Sequence, residues 1–262
     1  MSAIAADVLT HADYFVLVIV RTGALIYASP IFGRALVPDR VKLCLILAVG
    51  AFFYSVAPPS GTISYGGLLE FTLIIMSELL IGFALAFITN VFFALTSVAG
   101  NAIDMQIGFG MANVYDLQTN SQSPITASLL NMTLLLVFFL MDGQLRLIDM
   151  LYSTLRQMPI GTPVFAPEIG LVALEAFSKM FLTAVMVAMP VLASGLMLEF
   201  CFGAITRAVP QIHMMVVGVP LKLLVGFIVF AAIIPVYVNS APAIFEDMFD
   251  WLARMFETLS NS

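Results

Sequence analysis

Charge is scarce in this chain. Asp, Glu, Lys and Arg make up only 10% of its 262 residues, against roughly 25% in a soluble domain. Basic residues are fewer than acidic ones, ten against sixteen, and none occurs between Lys42 and Arg146. The net charge of −6 and the lack of a basic patch exclude nucleic acid as a partner, because nothing would neutralise phosphates. The two cysteines, Cys44 and Cys201, lie far apart and form no CxxC or Cys/His cluster, so no metal site is assigned. They read as buried, inert thiols. The two histidines, His11 and His213, stand without an HExxH or serine-elbow pattern, and no glycine-rich phosphate cradle is present. No catalytic residue and no cofactor follow, and a non-enzymatic protein is expected. The opening stretch MSAIAADVLTHAD has no basic residue, which argues against a cleaved signal peptide.

What abounds is apolar. The chain is 61% hydrophobic, with a mean hydropathy of +1.07. A water-soluble chain of this length could not bury so much apolar surface in one core. The surroundings must be lipid or other apolar protein. Six apolar runs emerge: Tyr14–Phe32, Val41–Ala57, Leu68–Ala99, Ile125–Met141, Glu168–Leu198 and Leu223–Val238. Arg21 interrupts the first. A charge at bilayer depth costs at least ~2.5 kcal/mol, so Arg21 should face protein, water or an interface. Glu70 and Glu78 lie in the third run near one helical face, with Gly82 one turn beyond Glu78. Pro190 predicts a kink in the fifth. The cluster Arg34, Arg40 and Lys42 reads as a cytoplasmic flank.

After Pro242, apolar residues recur at helical spacing with Asp and Glu opposite, which predicts an amphipathic helix lying on a membrane or a partner. The expected fold is therefore all-α: a polytopic integral membrane protein of kinked helical hairpins, with about six apolar helical segments plus a C-terminal amphipathic helix.

Two polar, glycine-broken islands interrupt the oily sequence. The first is Gly100–Pro124, with Asp104 and Gln106 followed by Gly108, Phe109, Gly110 and Met111. Irregular backbone at membrane depth is tolerated only where it is buried in protein or lines a wet cavity. This stretch is thus either the working part or an ordinary solvated loop. The second island is Glu199–Lys222, which is rich in glycine and proline. Sixteen methionines and 22 phenylalanines suit adaptable, closely packed surfaces.

Four segments carry a family resemblance. They are Arg21 with Pro30-x-Phe32-Gly33 and Val37-Pro38-x-Arg40; Glu78-Leu-Leu-Ile81-Gly82; Ile103-Asp104-x-Gln106-x-Gly108 through Ala112 to Asp116; and Arg207-Ala-x-Pro210-Gln211 through Gly218-x-Pro220-Leu-Lys222. In this order the chain resembles the FliR/SctT family of type III secretion export-gate proteins. It departs from the family pattern at Leu117, where proline is common, and at His213, where asparagine is common.

The resemblance implies a single gate domain over residues 1–262 in the bacterial inner membrane, at the flagellar basal body. The chain would assemble with FliP and FliQ into a channel for unfolded flagellar proteins, with FlhB and FlhA nearby. The loop Gly108–Asn113, holding Phe109, Gly110 and Met111, would plug that channel. Glu78 and Asp104 would be inter-helix or inter-subunit partners. Two alternatives remain: the equivalent subunit of an injectisome, and a small secondary transporter using Asp104 and Arg207.

Overall fold

The structure is a computed structural model. It describes residues 11–33, 37–57, 66–109, 124–158, 160–161, 168–209 and 214–260, with no account of the side chains of 214–216. All regular structure among them is helical: α1 (Ala12–Ala28), α2 (Asp39–Val56), α3 (Leu68–Ile107), α4 (Ile125–Leu140), α5 (Gly143–Gln157), α6 (Ile169–Ala208) and α7 (Met214–Ser260). Each of the six apolar runs is carried mainly by a helix, the first running on past α1 into the turn at residues 29–32. The helix α5 is additional, and the sixth run and the tail form one element.

Local chemistry sets the boundaries. Pro38 stands just before α2, and its carbonyl accepts from the amides of Val41 and Lys42. The Glu70 carboxylate accepts from the Gly66 amide at 2.5 Å and so covers the start of α3. Gly108 follows α3 at a φ of 96°, a left-handed conformation suited to glycine. Asp142 separates α4 from α5 at a φ of 54°. α6 continues through Pro190, and α7 through Pro220, Pro235 and Pro242. Helices α3 and α6 have 40 residues each, roughly 60 Å at 1.5 Å per residue. That is about twice the ~30 Å hydrocarbon core of a bilayer. Three helices, α3, α6 and Val217–Ser260 of α7, are long and apolar enough to cross a membrane. The fold is an all-α polytopic membrane protein.

The chain divides into two compact units, and α3, α6 and α7 each contribute to both. One comprises Met1–Val91, Asp142–Ala176 and Asp247–Ser262; the other comprises Phe92–Met141 and Phe177–Glu246. In the first unit α1 packs on α2. Ile19 touches the space a Cβ on Gly50 would take, and Phe15 sets its ring edge on Tyr54. Phe53 stacks on Tyr152 of α5 with ring centroids 5.9 Å apart. In the second unit Phe93, Phe138 and Phe245 form a ring cluster with centroids 5.1–6.0 Å apart. A Cβ on Gly100 would strike the backbone of Ala127, so α3 and α4 cross at backbone contact.

Two expectations are corrected. The apolar face of the tail does not lie on a membrane or partner. Met248, Leu252, Met255 and Leu259 are buried within the chain, and the Arg146 guanidinium covers the Phe249 ring at 4.6 Å. Cys44 and Cys201 are exposed rather than buried. The physical reason is the same for both. Apolar spacing tells which face avoids water, but not whether its cover is the chain itself, lipid or another subunit.

Candidate functional site

The deepest polar feature lies in the first unit. Arg21 on α1 and Glu78 on α3 are both fully buried. Arg21 Nε donates to Glu78 Oε2 at 2.5 Å. Arg21 Nη1 donates to the carbonyls of Thr154 at 3.1 Å and Met158 at 3.3 Å, at the C-terminal end of α5. Glu78 Oε1 accepts from the amide of Gly161 at 3.2 Å. A cation is favoured at a helix C-terminus, where carbonyls lack partners. The pair therefore ties α1, α3 and the turn after α5 together. Gly82 makes it possible, because a Cβ there would collide with the Arg21 carbonyl and stand 2.7 Å from the Ala24 Cβ. Glu70, predicted near the same face, is exposed instead. Lys42 of the basic flank is turned inward. Its Nζ donates to the Gly33 carbonyl at 3.2 Å, pairs with Asp39 at 3.4 Å and lies over the Tyr27 ring.

The second unit holds the base of the first polar island. Asp104 is buried near the end of α3. Its carboxylate accepts from the Thr126 amide, 3.2 Å from Oδ2, and from the Thr126 hydroxyl. Thr126 lies in the first turn of α4, whose N-cap residue Pro124 offers no side-chain cap. Asp104 thus caps α4 from another helix, where an anion and an acceptor are both wanted. Two residues on, Gln106 Nε2 reaches Glu199 Oε1 of α6 at 3.5 Å, and Lys222 Nζ of α7 donates to the same oxygen at 2.5 Å. Close approaches accompany this network. A Cβ on Gly195 would overlap the Gln106 side chain, and one on Gly226 would stand 2.7 Å from Ile107.

Gly108 and Phe109 follow directly, both half-buried. Exposed Arg207 lines an open groove of about 650 Å³ with Glu199, Phe200 and Gly203. Gly218 is buried and Pro220 exposed in the early turns of α7. Gly110, Met111, Asn113, Asp116, Pro210 and Gln211 lie outside the described residues.

Of the residues singled out from the sequence, Arg21 and Glu78 meet beside Gly82, Asp104 meets Thr126, and Gln106 and Lys222 meet at Glu199. Sequence reasoning missed Thr126, Glu199 and Thr154 as partners. A threonine opening an apolar run behind proline was the available signal for Thr126. The Thr154 carbonyl left none, because backbone acceptors carry no side-chain signature.

These buried charges are held by neighbouring helices and helix ends, with Arg21 Nη2 alone of that guanidinium's nitrogens lacking a hydrogen-bond partner. They define a membrane protein in which ionic groups fasten long helices together, with large apolar surfaces turned outward. The description bacterial export proteins, family 1, fits residues 12–248. Flagellar biosynthetic protein FliR of Escherichia coli (strain K12) is 31% identical over 92% of both chains. The protein of the same name from Bacillus subtilis (strain 168) is 33% identical over 82% of this chain and 83% of its own. That of Pectobacterium carotovorum is 27% identical over 98% and 97%. The chain belongs to bacterial export proteins, family 1, the FliR family its motifs resemble.

Proposed function

We propose that this chain is a subunit of the flagellar type III protein export gate in the bacterial inner membrane, part of the flagellar basal body. The observation that carries the proposal is the match, over nearly the whole length of both chains, to proteins named for flagellar biosynthesis. The exposed helix faces support a subunit role. Only 22% of the most apolar stretch of α6 and 17% of that of α7 is buried within the chain. Residues 1–262 then act as one gate domain, without enzymatic chemistry. FliP and FliQ form the channel with it, and FlhB and FlhA adjoin it. Unfolded flagellar proteins pass through.

In this reading Gly108–Asn113 plugs the pore, with Phe109 and Met111 filling it and Gly108 and Gly110 hinging. Gly108 already adopts a conformation that other residues resist. Arg21, Glu78, Gly82 and Pro38 hold the first unit. Asp104, Gln106, Lys222, Gly218 and Pro220 hold the base of the plug. Arg207 belongs with Asp116, Pro210 and Gln211 to structural or interface motifs of the subunit. The test replaces the chromosomal gene with a version shortened across Gly108–Asn113. Assembly of the gate should persist while the resting membrane leaks small ions. Unchanged ion permeability in an assembled gate would rule the plug out.

A further inference from the structure

A second feature of the first unit lies away from both islands. An open groove of about 440 Å³ runs along α1. Gly23 and Tyr27 belong to its floor, Leu43 and Ile46 of α2 form one wall, and Leu79 and Phe83 of α3 form the other. Tyr27 is the only lining residue with a polar side-chain atom. Leu43 is 59% exposed and Phe83 55% exposed, so neither wall is covered by this chain. The groove follows α1 from Ile19 to Ala28, roughly 14 Å at 1.5 Å per residue. That length and the apolar lining match a single hydrocarbon chain.

One end of the groove is charged. The antiparallel register is fixed by Gly23 facing Ile46 and by Lys42 Nζ standing 5.2 Å from the centroid of the Tyr27 ring. The Tyr27–Leu43 end is therefore the basic end. Arg40, exposed, lies three residues before Leu43 on the same face of α2. Asp39 is engaged with Lys42, and Arg40 is the outward cation of this flank among the described residues. A guanidinium offers paired donors to phosphate, and an aromatic ring beside it suits the membrane interface.

We propose that this groove binds an acyl chain of an anionic glycerophospholipid, with its phosphate at Arg40. The proposal rests on membrane embedding alone, so its failure would leave the export reading standing.

The test uses the full-length protein with its co-purifying subunits in mild detergent. Phosphatidylglycerol and phosphatidylcholine of matched chains are titrated by native mass spectrometry. Phosphatidylglycerol should bind more tightly. Arg40→Gln should weaken it about fivefold, to the level of phosphatidylcholine. Gly23→Leu should abolish both, since a Cβ there meets only Ile46 at 3.6 Å and a longer side chain enters the groove. Arg40→Gln lies on the surface and keeps the test valid if Gly23→Leu does not fold. Equal affinity for the two lipids would overturn the proposal. So would a photo-crosslinker at Leu79 that captures a protein subunit instead of lipid.

Discussion

Replacing Arg21 with methionine would leave the Glu78 carboxylate fully buried, with the Gly161 amide as the donor that remains to it. It would also remove the donor to the carbonyls of Thr154 and Met158. Breaking one side of a buried pair costs about 3–5 kcal/mol, because the stranded charge keeps its desolvation penalty. For a chain of this size a kcal/mol corresponds to roughly 2–4 °C, so the melting temperature should fall by about 6–20 °C. Glu78→Leu should fall comparably. The double variant Arg21→Met/Glu78→Leu strands no charge and should recover more than half of the summed loss. Thermal melts in mild detergent can follow Trp251, the only tryptophan, which lies in the same unit as the pair. A single variant losing less than about 1 kcal/mol would refute the pinning argument. So would a double variant that falls by the sum of its parts.

Other contacts give smaller, separable effects. Gly82→Val should cost about 1–3 kcal/mol by forcing α1 and α3 apart at the Arg21 carbonyl, seen as lower abundance in membranes. Asp104→Ala should cost about 1 kcal/mol through the lost cap and speed hydrogen exchange at the first-turn amides of α4, with Asp104→Asn retaining part of the protection. Lys222→Ala should move stability by less than about 1 kcal/mol, because its partner Glu199 is half exposed. A motility loss from that variant at normal abundance would then place Lys222 in function rather than folding.

The helices were legible because apolar runs of this length have few other solutions in lipid. That Arg21 would face protein, water or an interface was equally legible, since a charge in lipid is costly. Its partner was not, because Glu78 lies 57 residues away and equal sequence logic applied to Glu70. Gly82 was readable as a close approach, but only the structure shows that the Arg21 carbonyl is what approaches. The tail was misassigned because Ile244, Phe245 and Met248 carry the same spacing whether they face lipid or their own chain. The exposed thiols of Cys44 and Cys201 repeat that ambiguity in reverse.

What the chain assembles with tests its place in the export gate most directly. The tagged protein, co-expressed with the flagellar export genes of its own operon and purified in mild detergent, can be weighed as an intact particle. A discrete hetero-oligomer containing one copy of this chain with FliP and FliQ is the predicted result. A monomer or homodimer that stays folded and soluble alone would contradict it, and small-solute transport would then be the activity to measure.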